Sequence, residues 1–302
     1  MRTVRVAAKT TEARDVVSFV LAGDGLPPWQ PGAHVDVEVR PGMVRQYSLC
    51  GDPGERDRWR IAVLREDPGR GGSRHLHDAV SAGGSLRVSE PRNNFPLVPA
   101  TAYVFVAGGI GITPLLPMLR RAEAEGADWT LYYGGRRRDR MAFLDELSVH
   151  GDRVRVLPED EHGLLPLAEI FAASDAPVYC CGPEPLLAAA EQLCPPGRLR
   201  VERFHPRDAE YGPGQAFEVI ASASGKTVRV GAEESILDVL DAAGVTMPSS
   251  CREGTCGTCE TAVLEGEPDH RDSILSEEER ADGKTMMVCV SRARSPRLVL
   301  DI

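Results

Sequence analysis

Positive charge is what this chain has too little of: 35 Lys and Arg stand against 45 Asp and Glu among 302 residues, a formal net charge of −10. Binding to phosphate backbones needs clustered cations, so the balance argues against a nucleic-acid partner. An acidic surface suits a basic protein partner instead. Long apolar runs are also missing. No stretch approaches the roughly 18 consecutive apolar residues of a membrane span, and the opening MRTVRVAAKTTEARDVVSFV has no apolar leader core. A cytoplasmic protein without membrane association is expected. Neither internal repeats nor low-complexity tracts interrupt the chain, whose length predicts two or three domains, three fitting best.

What is present is patterned in three ways. As far as Leu97 the runs VRVAA, VVSFVLA, HVDVEV, RQYSL, WRIAVL and SLRVS are broken by Gly and Pro, which predicts an antiparallel β-barrel. From Tyr103 strand-like runs alternate with helical ones: YVFVAGG with TPLLPMLRRAEAEG, WTLYYGG with AFLDELS, VRVLP with LAEIF, VYCCG with PLLAAAEQL. That alternation predicts an α/β layer with a parallel sheet. PRDAEYGPGQ then reads as a linker, and the remainder shows the strands FEVIAS and TVRVG, the helix SILDVLDAAG closed by Gly244, and a last strand RLVLDI. The expected divisions are 1–98, 99–206, a linker at 207–215, and 216–302.

Eight cysteines are unevenly placed. Cys50, Cys180, Cys181 and Cys194 are scattered, whereas Cys251, Cys256, Cys259 and Cys289 fall in the last 52 residues. The latter four read C-x4-C-x2-C followed by a distant fourth, which is plant-type [2Fe–2S] ligand spacing. Soft thiolates suit iron in both oxidation states, and Gly254 and Gly257 let a loop turn its amides toward sulfide. Zinc sites usually pair two short Cys/His spacings, and the second pair is missing here.

Four upstream segments have the chemistry of sites for nucleotide-like ligands. Arg45-Gln46-Tyr47-Ser48 lies on a predicted strand, so Arg45 and Tyr47 share one face and Gln46 and Ser48 the other. An exposed strand would look the same. Gly69-Arg70-Gly71-Gly72-Ser73 precedes the helical stretch RHLHDAV, where free amides and a helix dipole favour a phosphate and Ser73 is a candidate N-cap and phosphate contact. An ordinary capped helix would fit as well. Gly108-Gly109-Ile110-Gly111-Ile112-Thr113-Pro114 and Cys181-Gly182-Pro183 each follow a strand and open a helix, at the carboxyl edge where parallel sheets bind ligands.

Taken in order, R-x-Y-S, the Gly-rich turn, GGIGITP, CGP and the four-cysteine segment resemble the phthalate dioxygenase reductase family within the ferredoxin-NADP-reductase-like superfamily, over essentially the whole chain. The resemblance implies a flavin-binding β-barrel, a nicotinamide-binding α/β domain and a C-terminal plant-type ferredoxin of α+β, β-grasp type. It implies electron transfer from NADH through FMN to a [2Fe–2S] cluster and on to an oxygenase, preferably Rieske-type, docking at the ferredoxin domain of a monomeric reductase. A haem-thiolate monooxygenase as partner, and a non-catalytic redox sensor, are the alternatives. By the same resemblance Arg45, Tyr47 and Ser48 contact the flavin, and Gly72 and Ser73 its phosphate. Gly109, Gly111, Thr113 and Pro114 line the pyridine nucleotide, Cys181, Gly182 and Pro183 lie near the nicotinamide, and Phe204 covers the flavin face. Cys181 and Ser48 are the expected catalytic-site residues, Cys181 positioning rather than attacking. Arg92-Asn93-Asn94-Phe95 is assigned to structure. FMN is preferred to FAD from the terminal look of the GRGGS turn, and NADH to NADPH although Arg136-Arg137-Arg138 follows a strand where a 2′-phosphate could be read. The acidic runs Glu265-Gly266-Glu267 and Glu277-Glu278-Glu279 are read first as a solvated face and second as a docking face.

Overall fold

β-Branched residues alternating with polar ones build the first half of the chain. In the computed structural model, which describes residues 1–67, 71–207, 211 and 214–302, the six opening runs become β1 (Arg2–Ala13), β2 (Val16–Ala22), β3 (Ala33–Arg40), β4 (Met43–Ser48), β5 (Arg58–Leu64) and, after helix α1 (Gly72–Ala79), β6 (Ser85–Val88). They pair in the order β4-β3-β6-β1-β2-β5, and the short β7 (Arg92–Asn93) pairs with β3. The chain past β4 turns toward β5 through the Leu49–Ile61 bridge and a bond from Cys50 N to Arg60 O at 2.8 Å, which brings the two ends of the sheet together as a barrel. Phe19, Leu21, Val35, Val37, Trp59 and Ile61 fill its interior.

The alternation seen from Tyr103 folds as β8 (Ala102–Gly108), α2 (Ile112–Ala124), β9 (Asp128–Gly135), α3 (Leu144–Ser148), β10 (Val154–Pro158), α4 (Glu159–His162), α5 (Leu167–Ala172), β11 (Val178–Cys181), α6 (Glu184–Leu193) and β12 (Leu199–Glu202). All five strands are parallel, in the order β10-β9-β8-β11-β12. Period two sorts the central strand: Tyr103, Phe105 and Ala107 face the layer holding Leu115 and Leu119 of α2, while Val104 and Val106 face Ile170, Phe171 and Leu187 of α5 and α6. β12, formed by LRVE, was not among the predicted strands.

Barrel and parallel sheet form one compact unit, Met1–Glu202. Val16, Cys50 and Ala62 of the barrel share an apolar cluster with Met141, Ala142 and Phe143, and Arg60 pairs with Glu146 at 2.8 Å while lying over the Phe143 ring. The Arg92–Phe95 stretch is structural as expected: Asn93 holds Pro31 O and Phe95 N, and Phe95 is buried beside Tyr179.

Arg203–Ile302 forms the second unit. Its elements are β13 (Phe217–Ala221), β14 (Lys226–Val230), α7 (Ile236–Ala242), β15 (Glu260–Glu265), β16 (Pro268–Asp269), α8 (Glu277–Asp282), β17 (Thr285–Met287), β18 (Arg292–Ala293) and β19 (Arg297–Leu300). The main sheet runs β14-β13-β19-β15-β17, with β13 and β19 parallel. Ser235 caps α7 by accepting from Asp238 N at 3.0 Å, and Gly244 ends it at φ +75°. Phe204 belongs to this unit. Of the expected linker, residues 208–210, 212 and 213 lie outside the described residues. Among the described residues no helix is long and apolar enough to cross a membrane.

Candidate functional site

The first group of residues gathers at the end of β4. Arg45 and Tyr47 stand opposite Val37 and Val35 of β3, two residues apart and so on one face, while Gln46 bonds Asp36 at 2.8 Å. Gly72 opens α1 against Arg45: a Cβ there would lie 3.2 Å from Arg45 Cγ. Gly71, at φ +79°, is the residue before the helix, and Arg40 donates to its carbonyl at 3.0 Å. A Cβ on Gly71 would also lie 3.1 Å from a terminal nitrogen of Arg40 and 3.4 Å from one of Arg74. Three guanidinium groups therefore surround a backbone turn that has no side chain of its own, a cradle suited to a terminal phosphate. Arg40 and Arg74 escaped notice in the sequence, since nothing in their local pattern separates them from surface arginines.

Ser73 corrects an expectation. The N-cap of α1 is Gly71, which offers no side chain, and Ser73 is the second helical residue. Its hydroxyl instead accepts from Glu66 N at 3.1 Å and lies 3.4 Å from Glu66 O. Gly69 and Arg70 of the predicted turn lie outside the described residues.

A second group forms at the carboxyl edge of the parallel sheet. Strand order reverses at β8, whose neighbours are β9 and β11, and ligands of open α/β sheets sit at such a reversal. Gly108 ends β8 and Gly111 leads into α2, where Pro114 is the third residue and Thr113 turns its hydroxyl to Ile110 O at 3.0 Å. The two turns interlock. A Cβ on Gly111 would fall 2.2 Å from Cys181 O, one on Gly108 would meet Pro183 at 2.7 Å, and one on Gly182 would meet Gly108 Cα at 2.9 Å. Gly109 is different: its φ is +55° and its Cβ position is open. Pro183 caps α6 from outside the helix.

Cys181, Glu202 and Ser48 meet at the same edge. Parallel register sets Cys181 beside Glu202, and the Ser48 hydroxyl lies 3.4 Å from Glu202 Oε2. Burial, then the nearby Glu202 and Cys180, pushes the Cys181 thiol well above its ordinary value, so it remains protonated and is no nucleophile. Burial likewise pushes the Glu202 carboxyl up to about 8, against the Ser48 hydroxyl, which favours its charge. Glu202 is the functional candidate that the sequence hid, because it closes a strand that was not predicted.

The third group is the cysteine loop. All eight cysteines of the chain are buried and none forms a disulfide, so burial alone does not mark a ligand. Amide donors do. Glu253 N and Thr255 N donate to Cys251 Sγ at 3.3 and 3.5 Å, Cys251 N donates to Cys256 Sγ at 3.5 Å, and Thr258 Oγ1 lies 3.2 Å from Cys256 Sγ. Hydrogen bonds from Cys256 and Cys289, joined by those amides, hold the Cys251 thiol far below its ordinary value, and a hydrogen bond from Cys289 lowers that of Cys259. The loop depends on Gly254 at φ +69°, whose Cβ would meet Val290 at 2.7 Å and Asp272 Cα at 2.9 Å, and on Gly257 at φ +74°. Among the described residues no three His, Cys, Asp or Glu side chains are grouped to hold one metal ion.

Comparison with known proteins shows what the chain as a whole is similar to. Residues 219–294, which include all four clustered cysteines, match the 2Fe-2S iron-sulfur cluster binding domain. The phenoxybenzoate dioxygenase subunit beta of Ectopseudomonas oleovorans is 47% identical over 99% of this chain and 97% of its own. A crystal structure of phthalate dioxygenase reductase, described as a modular structure for electron transfer from pyridine nucleotides to [2Fe-2S], is 41% identical, with TM-score 0.71 over 100% of this chain and 98% of that one. The chain belongs to the phthalate dioxygenase reductase family. It also matches an intact type IV self-sufficient cytochrome P450 monooxygenase at 45% identity and TM-score 0.93, over 100% of this chain and 41% of that one; it thus spans about two fifths of that longer protein.

A phthalate dioxygenase reductase of this fold needs three binding places, and the residues present fit each. The guanidinium-lined turn fits the phosphate of FMN. The interlocked glycine turns let a backbone approach that side chains would block, as a dinucleotide requires. Four thiols with amides aimed at sulfur fit a two-iron cluster.

Proposed function

We propose that this chain is the NADH-dependent reductase component of an oxygenase system, carrying electrons from NADH by way of FMN to a [2Fe–2S] cluster and on to a Rieske-type oxygenase or demethylase. The observation that carries the reading is that a hydride-accepting edge and a four-thiol loop occur on one chain, in the order found in reductases that it matches nearly end to end. Bound FMN supplies the conversion of a two-electron hydride into single electrons, and the cluster supplies a one-electron outlet. The protein's own work is binding, orientation and exclusion of water.

In this reading Arg45, with Arg40 and Arg74, binds the flavin phosphate at Gly71, Gly72 and Ser73. Tyr47 packs on the ring from the barrel side, its hydroxyl kept protonated by burial. Ser48 and Cys181 border the hydride path, and the Glu202 carboxyl, held uncharged in part, keeps negative charge away from the incoming nicotinamide. Gly109, Gly111, Thr113, Pro114, Gly182 and Pro183 line the nucleotide. Residues 1–98 are then the flavin domain, 99–206 the nucleotide domain, 207–215 the linker and 216–302 the ferredoxin domain.

NADH as donor is supported by how the arginine run is occupied: Arg138 forms a two-pronged pair with Glu161 at 2.6 and 3.0 Å, and Arg137 bonds Asp139 at 3.1 Å. Carboxylates already hold two of the three arginines that could bind a 2′-phosphate. For the partner, the second reading is a haem-thiolate monooxygenase, favoured by the full-length likeness to part of a P450 chain. We assign the reductase to the cytoplasm, as a monomer, with the partner docking at the ferredoxin domain; eight cysteines without a disulfide suit a reducing compartment.

The test is anaerobic mixing of the brown, FMN- and iron-loaded protein with NADH. Flavin and cluster bleaching in succession, with kcat/KM for NADH well above that for NADPH, is expected. Stoichiometric zinc without iron or sulfide, or failure of NADH to bleach the flavin, would overturn the reading.

A further inference from the structure

His270 follows β16 in the second unit with a side chain only 7% exposed, and neither ring nitrogen has a hydrogen-bond partner or reaches the surface. An imidazole buried in this way is rare unless its nitrogens serve a purpose. Its nearest charge is Asp272, fully buried, whose Oδ1 lies 3.9 Å from Nδ1 and is itself unpartnered. The other oxygen of Asp272 is fully occupied by Ile274 N at 3.1 Å, Leu275 N at 2.9 Å and Arg280 at 3.3 Å. One imidazole nitrogen and one carboxylate oxygen thus face each other across a gap too wide for a hydrogen bond and suited to an ion pair.

This pair abuts the cysteine loop. Ser273 N donates to Gly254 O at 2.9 Å, and Asp272 Cα would stand 2.9 Å from a Cβ on Gly254, which lies between Cys251 and Cys256 in the chain. We propose that His270 takes up a proton when the neighbouring cluster is reduced, forming an ion pair with Asp272. The inference rests on the [2Fe–2S] reading of that loop. The electron comes from NADH through the flavin, the proton from solvent, and the only bond formed is Nδ1–H.

The surrounding charges make the imidazole responsive. Burial holds it below its ordinary value, the charges of Arg280 of α8 and Arg294 beside β18 push it the same way, and Asp272 and the backbone of Arg280 oppose them. Asp269 of β16 is already engaged by Arg271 at 2.9 Å and Arg294 at 3.7 Å. The ring is therefore neutral beside the oxidised site. Across packed backbone of effective dielectric about 20, one added negative charge nearby strengthens proton binding on the order of tenfold.

The experiment is an EPR-monitored redox titration of the cluster in the full, FMN-loaded chain, repeated from about pH 5.5 to 8.5. The midpoint is expected to fall as pH rises and then level off, by about 59 mV for a tenfold change in proton affinity. His270→Gln and His270→Asn, two substitutions so that one unstable variant does not decide the matter, should give a flat profile. His205→Gln, which removes the other histidine of this unit, should keep the slope. A flat profile in the unsubstituted protein, a slope that survives in the His270 variants, or one lost with His205→Gln overturns the proposal. Absence of the cluster signal in the unsubstituted protein would instead strike the cluster reading itself.

Discussion

Cys181 and Glu202 show how one sheet edge can leave two acids protonated near neutral pH. Replacing Cys181 by Ala should slow flavin reduction by NADH, measured in a stopped-flow instrument, and leave cluster reduction by dithionite unchanged; equal loss of both would mean a merely structural role. Glu202 gives a prediction with a sign. Its folded value, about 8, lies above the ordinary 4.5, so the folded state holds the extra proton. Its contribution to stability is complete below the ordinary value and is lost as pH rises through about 8. The Tm of the native protein should therefore fall more steeply between about pH 4.5 and 8 than that of Glu202→Gln, and run parallel above that range; parallel Tm profiles throughout would refute the raised carboxyl. Cys181 was legible because CGP follows an obvious strand, whereas the significance of Glu202 arises only from a register partner and from Ser48, some 154 positions away in sequence.

Strands and helices were read more readily than the turns joining them. Period two marked β1 to β6 and the apolar runs marked β8, β9 and β11, because each buries one or both faces in a core. Ser73 fails as a cap because it sits two positions past the N-cap Gly71, and composition cannot distinguish a cap from the second helical residue. The glycine turns separate two effects that sequence shows as one. Gly111→Ala would force its Cβ into the Cys181 carbonyl, whereas Gly109→Ala meets open space and has only a left-handed φ to sustain. The Gly109 variant should lose about 1–2 kcal/mol. Gly111→Ala should lose more, and should raise the KM for NADH by displacing the CGP turn. Denaturant unfolding and steady-state kinetics of the two variants check this, and equal costs would contradict the interlock.

At the scale of the whole molecule, the negative balance is spent unevenly on the second unit. Glu279 completes the capping box of α8 with Ser276, Glu265 pairs with Arg297 at 3.5 Å and Glu267 with Arg294 at 3.5 Å. Glu277 and Glu278, exposed in the first turn of the same helix, take part in none of these pairs and are available to a basic partner. Reversing both to Lys should raise the KM for the oxygenase and flatten its salt dependence, without altering reduction of ferricyanide by NADH. An unchanged KM would leave α8 a solvated face. No pattern in the sequence tells that the barrel and the parallel sheet share an apolar cluster while residues from Arg203 onward form a separate core, since such contacts join residues far apart. One earlier feature has a bearing on durability. A reduced flavin in air generates peroxide, and thiols are its usual casualties. Cys50, Cys180 and Cys181 have no accessible surface, and the thiol of Cys50 is pushed up to about 12 by burial. Thiols that do not meet solvent are poor targets, so this reductase should retain NADH-driven turnover through long aerobic incubation, its hydride-handling edge being shielded from the oxidant that its own chemistry releases.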